Sequence, residues 1–231
     1  MIMDCATELA VDRTQPASAY ASLDLISLHV PKALGTSIAE TLTGHYGRRR
    51  VIGDYANFLE SASPEQRLAR PALPPNAAAI HGHFPAIRYE GVAARRRVTF
   101  LRDPICRTVS HFFFWRAEPR HGNPMHDLML DERLGLIDFA RLPAIRHFYS
   151  QTVFGGCDMR AFDLVGVAEN LARDWPRFQR LTGIATALPY ANRNRYPGYR
   201  EIAARVMADP SVMRDLRRIL SDDIGFYERF L

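Results

Sequence analysis

Short apolar runs that alternate with helix-forming segments are the feature of this sequence that most constrains its fold. Four runs have the length and bounding residues of buried strands, and they span residues 23–30, 77–83, 97–101 and 162–167. Helical patterns follow three of them, at about 36–46, 105–116 and 171–181. Strands that alternate with helices predict an α/β fold, in which a mostly parallel sheet is covered by helices on both faces. In such sheets, ligands bind at the carboxyl ends of the strands.

The chain is long enough for one such domain, because its 231 residues are 47% hydrophobic. We expect residues 1–22 to form a loose leader and residues 23–231 to form a single domain. The polar segment 117–135 is predicted to be a surface excursion, and a final amphipathic helix is predicted at about 201–230, interrupted near Pro210.

Three observations bear on location and metals. The leader has no apolar run of the kind a signal peptide needs, and no stretch approaches the roughly 18 apolar residues of a membrane span. The three cysteines are widely spaced and form no CxxC pair, which argues against a disulfide framework or a zinc site. We therefore expect a cytoplasmic protein without a transmembrane segment or a bound metal.

The basic residues are unevenly divided between arginine and lysine. Lys and Arg total 30 and the net charge is +5, which suits anionic partners but is also consistent with a solvated basic surface. Lys32 is the single lysine of the sequence. The guanidinium of arginine is broad and planar, whereas the ammonium of lysine is a compact charge on a thin stem. A tight phosphate-binding loop would therefore keep its lysine even where other basic positions of the chain changed to arginine. Lys32 is therefore a candidate functional residue. No nucleic-acid-binding motif accompanies the charge, so we expect no nucleic-acid partner.

Lys32 lies in the predicted loop between the first strand and its helix. Backbone N–H groups at a helix start favour anions, Gly35 permits close approach, and Thr36 and Ser37 add hydroxyl donors and can cap the helix. The loop is not a Walker A motif, which places its lysine after the glycine. It predicts a phosphate-binding loop, with an ordinary strand–helix turn as the alternative.

Further candidates follow the later strands. Arg102 leaves the strand at 97–101, and Ser110 lies two turns into the next helix, so the two are suited to bind a phosphate together. The alternative is that Arg102 pairs with Asp103. His81 and His83 end the strand at 77–83, and a histidine is the usual group to take a proton from a hydroxyl near neutral pH. The alternative is that both histidines are packed at the strand end.

The order and spacing of these segments resemble those of carbohydrate sulfotransferases of the heparan sulfate 2-O-sulfotransferase type and their small bacterial relatives. The landmarks that carry the resemblance are Pro31, Lys32, Gly35, Thr36, Ser37, His81, Gly82, His83, Phe84, Pro85, Arg102, Asp103, Pro104, Ser110, Val165, Gly166, Glu169, Asn192, Arg193, Asn194, Asp223 and Tyr227. The sequence departs from the family pattern at Ala33 and Leu34, where the family usually has Thr or Ser and then Gly or another small residue.

The resemblance implies a sulfotransferase fold with a P-loop-like central sheet. It also implies transfer of a sulfuryl group from 3′-phosphoadenosine 5′-phosphosulfate (PAPS) to an acceptor hydroxyl, with PAP as the other product. Residues 31–37 (Pro31, Lys32, Ala33, Leu34, Gly35, Thr36 and Ser37) would hold the 5′-phosphosulfate, and Arg102 with Ser110 would hold the 3′-phosphate. The loop with Asn192, Arg193 and Asn194 would close over the nucleotide.

By the same resemblance His83 would be the general base, Lys32 would stabilise developing charge, and the acceptor would be a saccharide or glycolipid. Two other functions stay open. A P-loop-like nucleotide kinase is disfavoured by the position of Lys32 and by the lack of a clear Mg²⁺ ligand. A non-catalytic protein that binds PAPS or a glycan is suggested by Ala33 and Leu34. Among the remaining histidines, His121, His126 and His147 are predicted to be surface groups, and His111 to be on the helix surface or in the core.

Overall fold

The computed structural model describes residues 23–55, 59–187, 194 and 196–231. Within them, five parallel strands form one sheet in the order β2–β3–β1–β4–β5. The strands are β1 (Leu23–Leu28), β2 (Val51–Asp54), β3 (Ala79–Gly82), β4 (Ala94–Leu101) and β5 (Leu164–Val167). The predicted α/β fold with a parallel sheet is confirmed. The edge strand β2 was not predicted, because it is short and half-exposed and is defined mainly by its pairing with β3.

Helices connect and cover the strands. They are α1 (Gly35–Tyr46), α2 (Pro64–Leu68), α3 (Pro104–Ala117), α4 (Pro124–Asp131), α5 (Leu136–Arg141), α6 (Pro143–Arg146), a π-helical turn (Phe148–Val153), α7 (Leu171–Thr182), α8 (Tyr199–Ala208), α9 (Pro210–Ile219) and α10 (Ser221–Glu228), with 3₁₀ turns at Arg48–Arg50, Ala86–Tyr89, Met159–Ala161 and Ala168–Asn170. Prolines stand in the first turns of α3 and α9. They are well placed there, because the first N–H groups of a helix have no partner within the helix and the missing N–H of proline therefore costs nothing.

Two predictions about the helices were wrong in part. The segment 117–135 is not only a surface excursion, because it contains α4, whose His126 and Met129 are buried. The final helix is divided at Asp209, as predicted, and divided again at Leu220. In α9 the side chain of Asp209 accepts hydrogen bonds from the first backbone N–H groups, which fixes that helix start.

The sheet is buried on both faces, as a parallel sheet requires. Leu25 and Phe100 pack with Phe178 on the face covered by α1 and α7. Ile26, on the next position of β1, packs with Phe148 and others on the face covered by the π-helical turn and α10. Side chains of α3, α4, α5, α6, α8 and α9 form a separate apolar cluster.

The strand order places the loops after β1 and β4 next to each other. β1 lies at the centre of the sheet. After β1 the chain forms β2 and β3 on one side of it, and then crosses to form β4 and β5 on the other side. The position between β1 and β4, where the direction of the connections reverses, is the topological switch point, and open α/β sheets bind their ligands there. Within the described ranges, no helix is long and apolar enough to cross a membrane.

Candidate functional site

A cleft of about 1080 Å³ lies at the carboxyl edge of the sheet. The segment that follows each strand contributes a lining side chain: Lys32 after β1, Tyr55 after β2, His83 after β3, Arg102 after β4 and Glu169 after β5. The carboxyl ends of parallel strands share one edge, so residues far apart in the sequence meet here.

The loop after β1 has a strained backbone. Lys32 and Leu34 have φ values of 69° and 64°, in the left-handed region that residues other than glycine rarely adopt. Leu34 is the N-cap of α1, so the expectation that Thr36 or Ser37 caps the helix is wrong. The turn is closed by a hydrogen bond of 3.1 Å from the backbone N–H of Ala33 to the carbonyl of Val30. The turn places the start of α1 directly after the carboxyl end of β1, and the backbone N–H groups of a helix start favour anions.

Position 35 requires glycine because there is no room for a Cβ, and not because of its backbone angles. A Cβ built at this position would lie 1.6 Å from Nε2 of His29. The His29 ring stacks on His81 with 5.2 Å between ring centres, and its centre lies 4.3 Å from that of His83. The start of α1 therefore rests directly on a cluster of three histidines.

Burial keeps these histidines neutral. The pKa of His81 is lowered to about 4 by burial, and its ring bridges Oγ of Ser27 at 2.9 Å and the carbonyl of Gly35 at 3.1 Å. The pKa of His83 is lowered to about 3 by burial and by the neighbouring His81 and Lys32. Nε2 of His83 is buried and has no hydrogen-bond partner among the described residues. His81 thus joins β1 to α1, whereas His83 has a nitrogen available for an added group.

The residues after β4 contact both sides of the switch point. Nη1 of Arg102 donates a hydrogen bond of 3.1 Å to the carbonyl of Lys32, and Nε lies 4.0 Å from a carboxylate oxygen of Glu169. The alternative pairing of Arg102 with Asp103 is not seen, because Asp103 caps α3 through the backbone N–H of Cys106. The loop after β1 and the start of α3 are therefore joined through one guanidinium group.

The helix α3 runs along the cleft and carries several of its lining side chains. Nζ of Lys32 lies 3.7 Å from the centre of the Phe114 ring. Asn194 Nδ2 donates a hydrogen bond of 2.9 Å to the carbonyl of Ser110, which joins Asn194 to this helix. Of the aromatic run at 112–115, Phe114 and Trp115 reach the cleft, and the other two rings are in the core.

Asp223 and Tyr227, the landmarks near the end of the chain, are connected to Arg102 and Glu169 by hydrogen bonds. Asp223 accepts hydrogen bonds from the backbone N–H groups of Tyr149 and Ser150, both at 2.9 Å. The hydroxyl of Tyr149 in turn donates a hydrogen bond of 2.7 Å to the carbonyl of Arg102. Tyr227 donates a hydrogen bond of 3.0 Å to Glu169. Tyr149 and Asp223 thus position the backbone at Arg102 and Tyr227 positions Glu169, and none of these three residues lines the cleft.

Most of the candidates from the sequence meet in this cleft. The lining includes Pro31, Lys32, Leu34, Gly35, Thr36, Ser37, His83, Arg102, Ser110 and Asn194. Ala33 does not line it, because its side chain is buried in the core beneath the loop. Asn192 and Arg193 lie outside the described residues.

Sequence reasoning missed several residues that line the cleft. Tyr55, Glu60 and Asn123 line it, and so does His111, which is buried. Tyr55 would have been found by recognising β2, since it directly follows that strand; no local pattern distinguishes Glu60 or Asn123. His126, predicted to be a surface group, is buried and hydrogen-bonded to the carbonyl of Trp115.

Metal ligation is not supported in the described part of the chain. No group of three or more His, Cys, Asp or Glu side chains there is arranged to hold a metal ion. The chemical groups that the cleft offers to a ligand are therefore an anion-favouring helix start, a lysine, an arginine and a neutral histidine.

A parallel α/β sheet with an anion-favouring loop and an arginine at its switch point defines a phosphate- or nucleotide-binding protein of the P-loop-like class. The particular family follows from the sequence. The chain belongs to the sulfotransferase family, whose model matches residues 21–230.

None of the curated proteins matches the chain in sequence. Among solved structures, the chain is similar to the crystal structure of mouse sulfotransferase SULT7A1 complexed with PAP, with 14% sequence identity and a TM-score of 0.37. That match covers 83% of this chain and 65% of the mouse chain, so this chain corresponds to somewhat less than two thirds of its length.

Proposed function

We propose that the protein transfers a sulfuryl group from PAPS to an acceptor hydroxyl and releases PAP. The observation that carries the proposal is the meeting of Lys32, the start of α1, Arg102 and His83 in one cleft at the switch point. Membership of the sulfotransferase family supports the same reaction. The phosphate-binding features suit the two anionic ends of the donor, and a histidine beside them suits proton removal from a hydroxyl.

In this proposal separate groups of the chain would bind the two ends of the donor, which supplies an activated sulfuryl group when bound. The backbone N–H groups at Gly35 and Thr36, with the ammonium of Lys32, would hold the 5′-phosphosulfate and stabilise charge on its bridging oxygen. Arg102 and Ser110 would hold the 3′-phosphate, and the side chain of Asn194 is hydrogen-bonded to the Ser110 carbonyl beside them. The left-handed turn at Leu34 is already formed, so the loop need not reorganise to bind an anion.

In this proposal His83 takes the proton of the acceptor hydroxyl. Its neutral state at physiological pH leaves a ring nitrogen able to accept a proton, and its Nε2 has no partner among the described residues. A pKa as low as about 3 makes a weak base in the free protein. The negative charges of the donor would favour the imidazolium form and raise that pKa. Donor binding would therefore activate the base.

The acceptor proposed is a saccharide or a glycolipid, in keeping with the resemblance to the heparan sulfate 2-O-sulfotransferase type. We further propose that residues 23–231 act as one domain in the cytoplasm. The free thiols of Cys106 and Cys157 suit a reducing compartment.

The first test is calorimetric titration with PAP, with ATP and ADP as controls. PAP binding in the micromolar range or tighter (Kd of about 10⁻⁶ M or below), not shared by ATP, is expected. Arg102→Ala should weaken PAP binding, because it removes a charged phosphate donor. The matched control is Arg116→Ala, which removes an exposed arginine at the far end of α3 and should leave the affinity unchanged. Well-folded protein that does not bind PAP would refute the donor assignment.

The second test separates the base from the donor site. His83→Ala should lower turnover with labelled PAPS by roughly 10²- to 10⁴-fold while PAP affinity is retained. Near-normal turnover in this variant would assign the base elsewhere. Turnover that requires ATP and Mg²⁺ would support the kinase alternative, and PAP binding without turnover on any acceptor would support a binding protein.

A further inference from the structure

Tyr55, the residue that follows the edge strand β2, lies level with the proposed base. The last residues of β1 and β2 both pair with Gly82, the last residue of β3. One position farther along, His29, His83 and Tyr55 therefore stand in one row across the carboxyl edge of the sheet. The centre of the Tyr55 ring lies 4.9 Å from that of His83, with the two rings at 73°, and its hydroxyl lies 3.4 Å from Nδ1 of His29. Tyr55 is thus in direct contact with the group that we propose to take the acceptor proton.

The strand order places Tyr55 on the side of His83 away from the donor groups. From the β2 edge of the sheet inwards, Tyr55 follows β2, His83 follows β3, Lys32 follows β1 and Arg102 follows β4. Neighbouring strands are about 4.8 Å apart, so these positions are spread over roughly 14 Å. In an in-line transfer the acceptor oxygen attacks from the side opposite to the leaving oxygen. An acceptor whose hydroxyl meets His83 therefore extends toward β2 and Tyr55.

The Tyr55 side chain is held in place but is not covered. It is 45% exposed and is one of the residues that line the cleft. The preceding residue, Asp54, is buried and accepts hydrogen bonds from Arg88 at 2.7 and 2.8 Å and from the hydroxyl of Tyr89 at 2.9 Å, which fixes the backbone from which Tyr55 extends. A tyrosine offers a large flat surface and loses little freedom when a ligand packs on it, because only two side-chain torsions have to be fixed. The exposed part of the ring is therefore a preformed surface beside the base.

We propose that Tyr55 is a specificity-determining residue of the acceptor site, and that the acceptor is a pyranoside that packs an apolar face of its ring on Tyr55 while one of its hydroxyl groups reaches His83. A hydroxyl must come within about 2.6–3.2 Å of a general base, which leaves the ring that carries it within reach of the Tyr55 side chain. A pyranose has C–H groups on its faces, and their burial against an aromatic ring is favourable, whereas an open-chain polyol has no flat apolar face to bury. This inference rests on the proposed function and specifies how its saccharide acceptor is recognised.

The test measures binding to the protein saturated with PAP, so that no turnover is needed. The probes are methyl β-glucopyranoside with sorbitol, and methyl β-galactopyranoside with galactitol, because each open-chain polyol keeps the configuration of its sugar. At least one pyranoside should bind about 10-fold more tightly than its polyol, a factor equivalent to about 1.4 kcal/mol and typical of one aromatic packing contact. Tyr55→Ala should reduce this ring preference to about 3-fold or less, and Tyr55→Phe, which keeps the ring and loses the hydroxyl, should retain it.

Tyr199→Ala is the matched control, because Tyr199 is another tyrosine of the cleft lining but stands at the start of α8, where its ring centre lies 6.1 Å from that of Phe113 in α3. It should leave the ring preference unchanged. The inference is overturned if neither pyranoside binds, if rings and polyols bind equally, or if the preference survives in Tyr55→Ala. Its loss in Tyr55→Phe or in Tyr199→Ala would also overturn it.

PAP titration separates this inference from the proposed function. Tyr55→Ala should leave PAP affinity unchanged, because the donor groups follow other strands, and an unchanged affinity also shows that the cleft is folded. A loss of PAP affinity in Tyr55→Ala would place Tyr55 in the donor site and overturn the inference. Failure of PAP to bind to the unaltered protein would instead remove the proposed function.

Discussion

Gly35→Ala and Gly44→Ala add the same methyl group to the same helix and should change stability in opposite directions. At position 35 the new Cβ would lie 1.6 Å from a ring atom of His29, which is held by its stacking on His81. At position 44 the space around the new Cβ is open to 4 Å. Position 35 therefore tests packing on the histidine cluster, and position 44 tests helix propensity alone.

The expected magnitudes follow from these two environments. Forcing a methyl group into a packed region costs about 1–3 kcal/mol, which the gain in helix propensity at a first helical residue offsets only in part. Gly44→Ala should stabilise the fold by about 0.5–1 kcal/mol, since alanine loses less backbone freedom than glycine in a helix interior. The free energies of unfolding of the two variants should differ by about 1–4 kcal/mol.

Urea unfolding measures the free energy of unfolding of both variants, provided that its slope against urea concentration is unchanged. PAP titration measures the effect of each variant on the loop after β1. The clash is attributed to His29 by a double-mutant cycle with His29→Ala. In that background Gly35→Ala should cost little, because the ring that it displaces is gone. The reasoning is refuted if Gly35→Ala is as stable as the unaltered protein, or if its cost is the same with and without the His29 ring.

The remaining predictions concern acid stability and loop strain. His81 has a folded pKa of about 4, below the unfolded value near 6.5, so its contribution is complete above pH 6.5 and is lost as the pH falls toward 4. Between about pH 7.5 and 5 this one group should remove about 2 kcal/mol of stability, and His81→Gln should flatten that part of a urea-midpoint profile. Leu34→Gly and Leu34→Ala both remove the apolar packing of Leu34 on the core, but only Leu34→Gly also relieves the left-handed φ. Leu34→Gly should therefore be the more stable of the two in urea unfolding, by about 1 kcal/mol. A Leu34→Ala variant as stable as Leu34→Gly would mean that the backbone at position 34 is not strained.

The parts of the site that the sequence predicted are those encoded locally. The loop after β1 and the Arg102 element each lie within a few residues of a recognisable strand and helix start. Their meeting then follows from the parallel sheet, because all carboxyl ends share one edge. The same argument located His83 after β3.

The parts that were missed depend on contacts between distant residues. β2 is a strand because it pairs with β3, and its Asp54 is buried because Arg88 and Tyr89 bind it. The approach of Glu60 to His111 joins residues with no shared local pattern. The left-handed turn at Leu34 could not be read from its residue type, since leucine favours a right-handed backbone.

The support of Arg102 by Tyr149 and Asp223 has a consequence for how the protein is made. Lys32, Gly35 and Arg102 emerge from the ribosome well before Asp223, whose carboxylate holds the Tyr149 backbone and so the hydroxyl beneath Arg102. A nascent chain that has completed the sheet through β5 carries these residues, which we propose to bind the nucleotide, but it lacks the Asp223 carboxylate that supports Arg102 through Tyr149. Nucleotide capture should therefore be a late event in biogenesis, and products of premature termination should be unable to sequester the donor.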